Sequence, residues 1–190
     1  MLFTSKDSLH HVFETVAAEL RKGVTEDRHP FRLVSFASQS ANGPDVRCVV
    51  LREVDEHLGL YIFTDSRSNK IGQLNKNEQV ALLFYHPEKR TQIRIKGTVS
   101  LHHQDRPSKT FWATLDRPSQ QGYHQIAAPG TTISKPEEAY EWDIHLADCH
   151  FMVIRVLPHE IWALQLDGHT HVRAKFVRQG ETWTKTWMAP

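Results

Sequence analysis

LGLYIFTDSRSNKIGQLNKNEQVALLFYH, residues 58–86, holds the pattern on which the fold turns. LGLYIFT (58–64) is rich in β-branched and aromatic residues and reads as a strand. The chain then turns polar, and SNKIGQLNK has room for only two helical turns. EQVALLFYH (78–86) reads as the next strand. Strand, two-turn helix, strand, with no long crossover, is not the unit of a doubly wound parallel sheet.

The pattern extends both ways. FRLVSFAS (31–38) and VRCVVLREV (46–54) precede it and TQIRIKGTVSL (91–101) follows, with NGP, DEHLG, NKN and HPEKR as turns. Residues 8–22, SLHHVFETVAAELRK, set Leu9, Val12, Phe13, Val16, Ala17 and Leu20 at helical spacing, with Ser8 to cap the start and Gly23 past the end. QDRPSKTFWATLD (104–116) predicts a second helix with Pro107 in its first turn. A long polar loop is expected over 117–136 and a short helical piece over 136–147. Four strands close the chain: CHFMVIRVLP, HEIWALQL, HTHVRAKFVR and ETWTKTWMA. The expected fold is mainly β with helical additions (α+β), a small barrel in a single domain spanning 1–190.

A net charge of +1 gives no basic field for nucleic acid or a membrane surface, so any anion site must be local. Two cysteines, Cys48 and Cys149, make no disulfide framework. MLFTSKDSLHHVFETV has no apolar signal core, and no run reaches the roughly 20 apolar residues of a membrane span. A cytoplasmic protein is the expectation. No dinucleotide fingerprint, P-loop, nucleophile elbow or CxxC pair is present. Among the 13 histidines, His102–His103, His145 with His150, and His169 with His171 are the metal candidates. None has a carboxylate or cysteine at ligand spacing, so solvated or hydrogen-bonded histidines are expected and no metal.

The chemistry gathers around FTDSRSNK (63–70). A helix that starts directly after a strand offers free N–H groups and a partial positive charge, which suit phosphate. Thr64 and Ser68 add hydroxyls, and Arg67 and Lys70 add charge. A solvated turn has the same composition. Two other strands bear on the choice. Arg47 lies among Val46, Cys48 and Val49, and an arginine there wants an anion. Arg52, five residues on, falls on the opposite face unless the strand bulges or a subunit contact intervenes. In TQIRIKG, Gln92, Arg94 and Lys96 share one face, and Gln92 can meet a flat heterocycle with both donor and acceptor.

R-x-V-V-L-R at 47–52, F-T-D-x-R-S-x-K at 63–70 and Q-I-R-I-x-G at 92–97 resemble, in order and spacing, the pyridoxamine 5′-phosphate oxidase-related family of FMN-binding split-barrel flavoproteins. RPSQQG (117–122) resembles that family's substrate loop, two residues shorter. PHEIW to TWTKTWMAP resembles its closing strands. The resemblance implies FMN as cofactor. Arg47 and Lys70 would bind its phosphate with Thr64 and Ser68. Arg67 would stand in for the charge missing at Asn69, where relatives often carry arginine. Val49, Val50, Leu51 and Arg52 would run along the flavin, with Phe63, Gln92 and Trp162 against it. Arg117, Ser119, His171 and Arg173 would face a small-molecule substrate. The resemblance also implies a homodimer with the cofactor at its interface, and oxidoreductase activity on pyridoxamine or pyridoxine 5′-phosphate. The same residues leave open a non-catalytic FMN-binding module, and a split barrel that holds haem or another planar cofactor.

Overall fold

The computed structural model describes all residues from Met1 to Pro190. Helix α1 (Leu9–Thr25) comes first, then β1 (Leu33–Ser40), β2 (Gly43–Val54), β3 (Leu60–Asp65), α2 (Asn69–Lys76), β4 (Gln79–His86) and β5 (Thr91–His103). Helices α3 (Arg106–Thr114) and α4 (Arg117–Gln121) follow, and β6 (Phe151–Gln165), β7 (Val172–Gln179) and β8 (Thr182–Met188) end the chain. The strands run β3-β2-β1-β4-β5-β6-β7-β8, all antiparallel, and β3 also pairs with β6. That last pairing closes the first six strands into a barrel, which removes the sheet edges. β7 and β8 continue the sheet outside the closure.

Alternation fills the barrel. In β5, Ile93 and Ile95 are buried while Arg94 and Lys96 face out, the pattern expected of a strand with one wet face. Phe36, Leu51, Ile62, Leu82, Ile95, Val156 and Ile161 belong to one core cluster of 28 residues. Helix α1 lies on this core through Val12, Val16 and Leu20. Phe13 packs on Phe176 and Trp183 with ring centroids 5.2 and 5.4 Å away. No helix is long and apolar enough to cross a membrane.

Five local expectations are corrected. Helix α1 starts as read, with Ser8 Oγ accepting from the His11 N–H at 3.1 Å. It runs through Gly23 to Thr25, because at Gly23 the helix meets the backbone of Phe31, 3.0 Å from where a Cβ would stand. The expected helix over 104–116 is α3 alone, opened by Asp105 and Ser108 in a capping box. The expected loop begins instead as α4, where the Asp116 carboxylate accepts from the Ser119 N–H. The helical piece over 136–147 is two 3-10 turns, Pro136–Ala139 and Ile144–Leu146. CHFMVIRVLP and HEIWALQL form one continuous strand, β6. Pro158 does not break it because it faces Gly97 at a register shift, where a ladder N–H is not required. Gly97 is needed there: a Cβ would lie 2.8 Å from the Leu157 carbonyl.

Candidate functional site

Four side chains gather where β3 runs into α2. Lys70 Nζ donates to Thr64 Oγ1 at 2.8 Å and to Ser68 Oγ at 3.0 Å. Thr64 and Ser68 are buried. Burial, and then the charge of Arg47, lower the pKa of Lys70. Ser68 takes the N-cap position, as read, but its hydroxyl makes no cap bond. It donates instead to the Asp65 carbonyl at 2.7 Å and receives Lys70. Arg47 reaches from the middle of β2, over the ring of Phe36. Nη1 donates to Ser38 Oγ at 2.5 Å, and Nη2 donates to Gln73 Oε1 at 3.0 Å and to Asp45 Oδ2. Gln73 also donates to Asp45 at 2.8 Å and accepts from Ser38 at 2.6 Å. The anion that sequence reasoning wanted for Arg47 is therefore present inside the chain, as Asp45. Asp45, Ser38 and Gln73 were missed. Asp45 was legible in principle, since residues two apart on a strand share a face. Gln73 follows Lys70 by one helical turn.

Two residues around this cluster point elsewhere. Arg67 spends its donors on the Asp65 carboxylate and on the carbonyls of Gln125 and Ile126, not toward Lys70. Asn69 is exposed and lines a polar cleft with Gln39, Ser40, Gln73 and Lys76. On the neighbouring strand, Leu51 is buried and Val49 and Val50 are half-buried. The β2–β3 register shifts between Leu51 and Glu53, so Arg52 sits in a bulge. That is the condition under which it escapes the strict alternation from Arg47. Its guanidinium lies over the Phe63 ring, 5.7 Å from the centroid, and its charge acts on Asp116 and Tyr123.

A second cluster lies on the outer face of β5, β6 and β7. Trp162 donates from Nε1 to Glu160 Oε1 at 2.7 Å. Arg94, Arg173 and Lys175 stand over its ring at 5.1, 5.7 and 4.9 Å. Lys96 and Lys175 pair with Glu160 at 3.2 and 2.9 Å. Gln92 is half-buried between Tyr85 and Leu164 in the ladder. Arg173 Nε is buried with no hydrogen-bond partner, so this cationic face keeps one unused donor. His171 Nδ1 accepts from the Asp167 N–H at the β6–β7 turn. Glu160 was the residue missed here, two positions before Trp162 on the same face.

The two clusters are far apart in one chain. Thr64 pairs with Met152 on β6, and Trp162 lies ten residues further along that strand, about 33 Å of strand length. Arg117 and Ser119 sit together on α4, both exposed. Of the histidines read as metal candidates, His102 meets Asp105 at 2.8 Å and His103 the Cys149 carbonyl at 2.8 Å. A different trio, Glu19, His29 and His86, brings its possible ligand atoms within 4.8 Å of one another. In both histidines Nδ1 accepts a backbone N–H, from Phe31 and from Lys89 at 3.2 Å. His29 Nε2 meets Glu19 Oε2 at 3.1 Å.

Residues 10–103 match the family model described as pyridoxamine 5′-phosphate oxidase, FMN-binding domain. The chain is 29% identical to a pyridoxine/pyridoxamine 5′-phosphate oxidase of Chromohalobacter salexigens, over 94% of this chain and 87% of that one. A crystal structure of a pyridoxamine 5′-phosphate oxidase-related, FMN binding protein from Nostoc punctiforme has a TM-score of 0.78 at 20% identity, covering 93% of this chain and 96% of that one. PhzG from Burkholderia lata, solved with tetrahydrophenazine-1-carboxylic acid, gives 0.73 at 19% identity over 98% and 94%. The two solved structures share the fold, the six-stranded barrel with its outlying strands. Sequence match and barrel together make this chain a member of the pyridoxamine 5′-phosphate oxidase-related family of FMN-binding split-barrel proteins.

Proposed function

We propose that the chain is an FMN-dependent oxidoreductase that works as a homodimer, with the cofactor held between the Lys70 cluster of one protomer and the Trp162 cluster of its partner. One observation carries the reading. Lys70 is a desolvated cation whose hydrogen bonds go to hydroxyls alone, with no carboxylate paired to it. A half-buried charge whose partners are all neutral favours an added anion, and the phosphate of FMN fits the donors around it. Arg47 lies close enough for its charge to act on Lys70. Thr64 and Ser68 have rotatable hydroxyls, and the first N–H groups of α2 open toward the same turn. FMN, when bound, supplies two-electron redox chemistry. Lys70 and Arg47 neutralise its phosphate, Gln92 offers an amide donor and acceptor to the edge of a planar ring, and Trp162 offers an indole face. Phe63 and Arg52 wall the β3 side, with the backbone of Val49 to Leu51. Nothing favours haem over FMN.

Two features support the dimer. The clusters stand too far apart along β6 for one small ligand to bridge them within a chain. The outer face of β1, β2 and β4 carries Leu33, Val46, Leu83 and Tyr85, exposed to 61, 61, 40 and 47%, an apolar stripe of the kind that interfaces cover. For the substrate, the named activity of the Chromohalobacter relative suggests a 5′-phosphorylated pyridine amine or alcohol. Arg117 and Ser119 on α4, with His171 and Arg173 on the second cluster, are its proposed contacts.

Lys70→Ala and Arg47→Ala should each weaken FMN binding about 10- to 100-fold, the worth of one charge-assisted hydrogen bond. Riboflavin, which lacks the phosphate, should be held as before. Equal losses for the two flavins in fluorescence titrations refute the phosphate assignment. Peroxide release in air on addition of pyridoxamine 5′-phosphate checks the substrate. A protein that holds FMN and releases none is a flavin-binding module instead.

A further inference from the structure

Arg67 is the residue whose geometry departs most from the role that the resemblance implies. Nε donates to Asp65 Oδ1 at 3.1 Å and Nη2 to Asp65 Oδ2 at 2.7 Å. Nη1 donates to the Ile126 carbonyl and Nη2 to the Gln125 carbonyl, both at 2.9 Å. All three nitrogens are thus committed, and the backbone N–H of Arg67 also donates to Asp65 Oδ1 at 2.8 Å. The carbonyls belong to a segment that is itself tied down: Ile126 N–H donates to the Glu141 carbonyl and Asp143 N–H to the His124 carbonyl.

Asp65 is the reason this matters. Its side chain is buried, one residue from Thr64 in the Lys70 cluster. Arg67 is its only ion-pair partner. The field of Asp65 already reaches Lys70, whose proton affinity it raises against burial and Arg47. It reaches His150 in the same sense. A buried carboxylate that loses its partner turns to whatever cation remains.

We propose that Arg67 is a positioning residue for the anion site: it neutralises Asp65 and so leaves Lys70 free for a phosphate that Arg67 does not touch. The proposal rests on the FMN reading above. It accounts for an anion site lined by a carboxylate, and it places the charge that stands near Asn69 outside the ligand shell.

The test is a set of flavin titrations at pH 8, where His150 is neutral, on the full chain freed of flavin. Arg67→Gln should weaken FMN at least tenfold and leave riboflavin within threefold of the wild type. Asp65→Asn combined with Arg67→Gln should return FMN to within about threefold. An unchanged FMN-to-riboflavin ratio in Arg67→Gln overturns the proposal. So does a loss that the second substitution fails to recover, because Arg67 then contacts the phosphate or acts only through the 125–126 segment. If Arg67→Gln alone does not fold, the double variant decides: tight FMN supports the proposal and a tenfold loss refutes it. Lys70→Ala and Arg47→Ala run beside these. If they too leave the ratio unchanged, the FMN-phosphate reading itself fails; if they lower it while Arg67→Gln does not, only the role of Arg67 fails.

Discussion

Glu160 receives three donors: the Trp162 indole at 2.7 Å, Lys175 at 2.9 Å and Lys96 at 3.2 Å. Burial alone would raise its pKa, but these partners outweigh burial and hold it at about 2 rather than the usual 4.5. The stabilisation is therefore whole above about pH 4.5 and drains away as pH falls toward 2. Glu160→Gln should lower the melting temperature by a few degrees at pH 7, the loss of about 1–3 kcal/mol in a chain of this size. The gap to wild type should close between pH 4.5 and 2. Thermal melts across that range check it, and a gap that does not change with pH refutes the role. At this scale the sequence named the cations and aromatics and missed the groups that hold them. Lys70, Thr64 and Ser68 share hydrogen bonds, and the charge of Arg47 acts on Lys70. Asp45 and Glu160 lie two residues before Arg47 and Trp162, and Gln73 three after Lys70, so strand alternation and the helical period could have found them. Arg67 could not be placed that way, because its carbonyl partners lie nearly sixty residues on and only the tertiary fold brings them near.

Helix α1 is fastened to the barrel by a polar knot as well as by its apolar stripe. Glu19 is buried, pairs with Lys22 at 2.5 Å and meets His29 Nε2 at 3.1 Å. His86 at the end of β4 packs its ring edge-on against His29, 5.6 Å between centroids. Burial, and then the charge of His29, lower the pKa of His86 below 6.5. A histidine kept neutral in the fold but protonated once unfolded stabilises above about pH 6.5 and is lost as pH falls further. The melting temperature should therefore drop as pH falls below 6.5, and His86→Gln should flatten that drop. An equally steep fall in the variant would show that the titration lies elsewhere. Element existence was largely readable, because periods of 2 and 3.6 are written in the residues. Boundaries failed where a local signal was weighed differently in two places. Asp-Arg-Pro-Ser occurs at 105–108 and again at 116–119; the first was read as a helix start and the second as a loop, yet both are capped first turns with proline where it is tolerated. At Pro158 the opposite error arose: proline suggested a break, but the bulge opposite Gly97 lets β6 run on.

The proposed dimer is a matter of the whole molecule. Leu33, Val46, Leu83 and Tyr85 share one outer face with Gln92, Arg94 and Trp162, as the strand registers require. In the arrangement proposed for FMN, two copies packed on this apolar stripe would set the Trp162 cluster of each toward the Lys70 cluster of the other. Val46→Glu with Leu83→Glu should convert the protein to a folded monomer that has lost its flavin, since an unpaired charge in an apolar interface costs several kcal/mol. Sedimentation velocity and far-UV circular dichroism read the two halves of that outcome. A flavin-loaded monomer, or a dimer indifferent to the two charges, contradicts the shared site. The barrel was legible from the short strand-to-strand links, and a second copy only through the family resemblance. Nothing in the residue order says that Thr64 and Trp162 face different ends of one strand.

The irregularity at Gly97 and Pro158 gives β6 two registers. Below it, Met152 to Val156 are locked against β3; above it, Glu160, Trp162 and Leu164 are set against β5 and β7. A single-residue insertion or deletion at that joint would turn Trp162 and Glu160 to the other face without disturbing the β3 pairing. Descent can thus reshape the aromatic end of the molecule while the turn that carries Thr64, Ser68 and Lys70 is inherited intact.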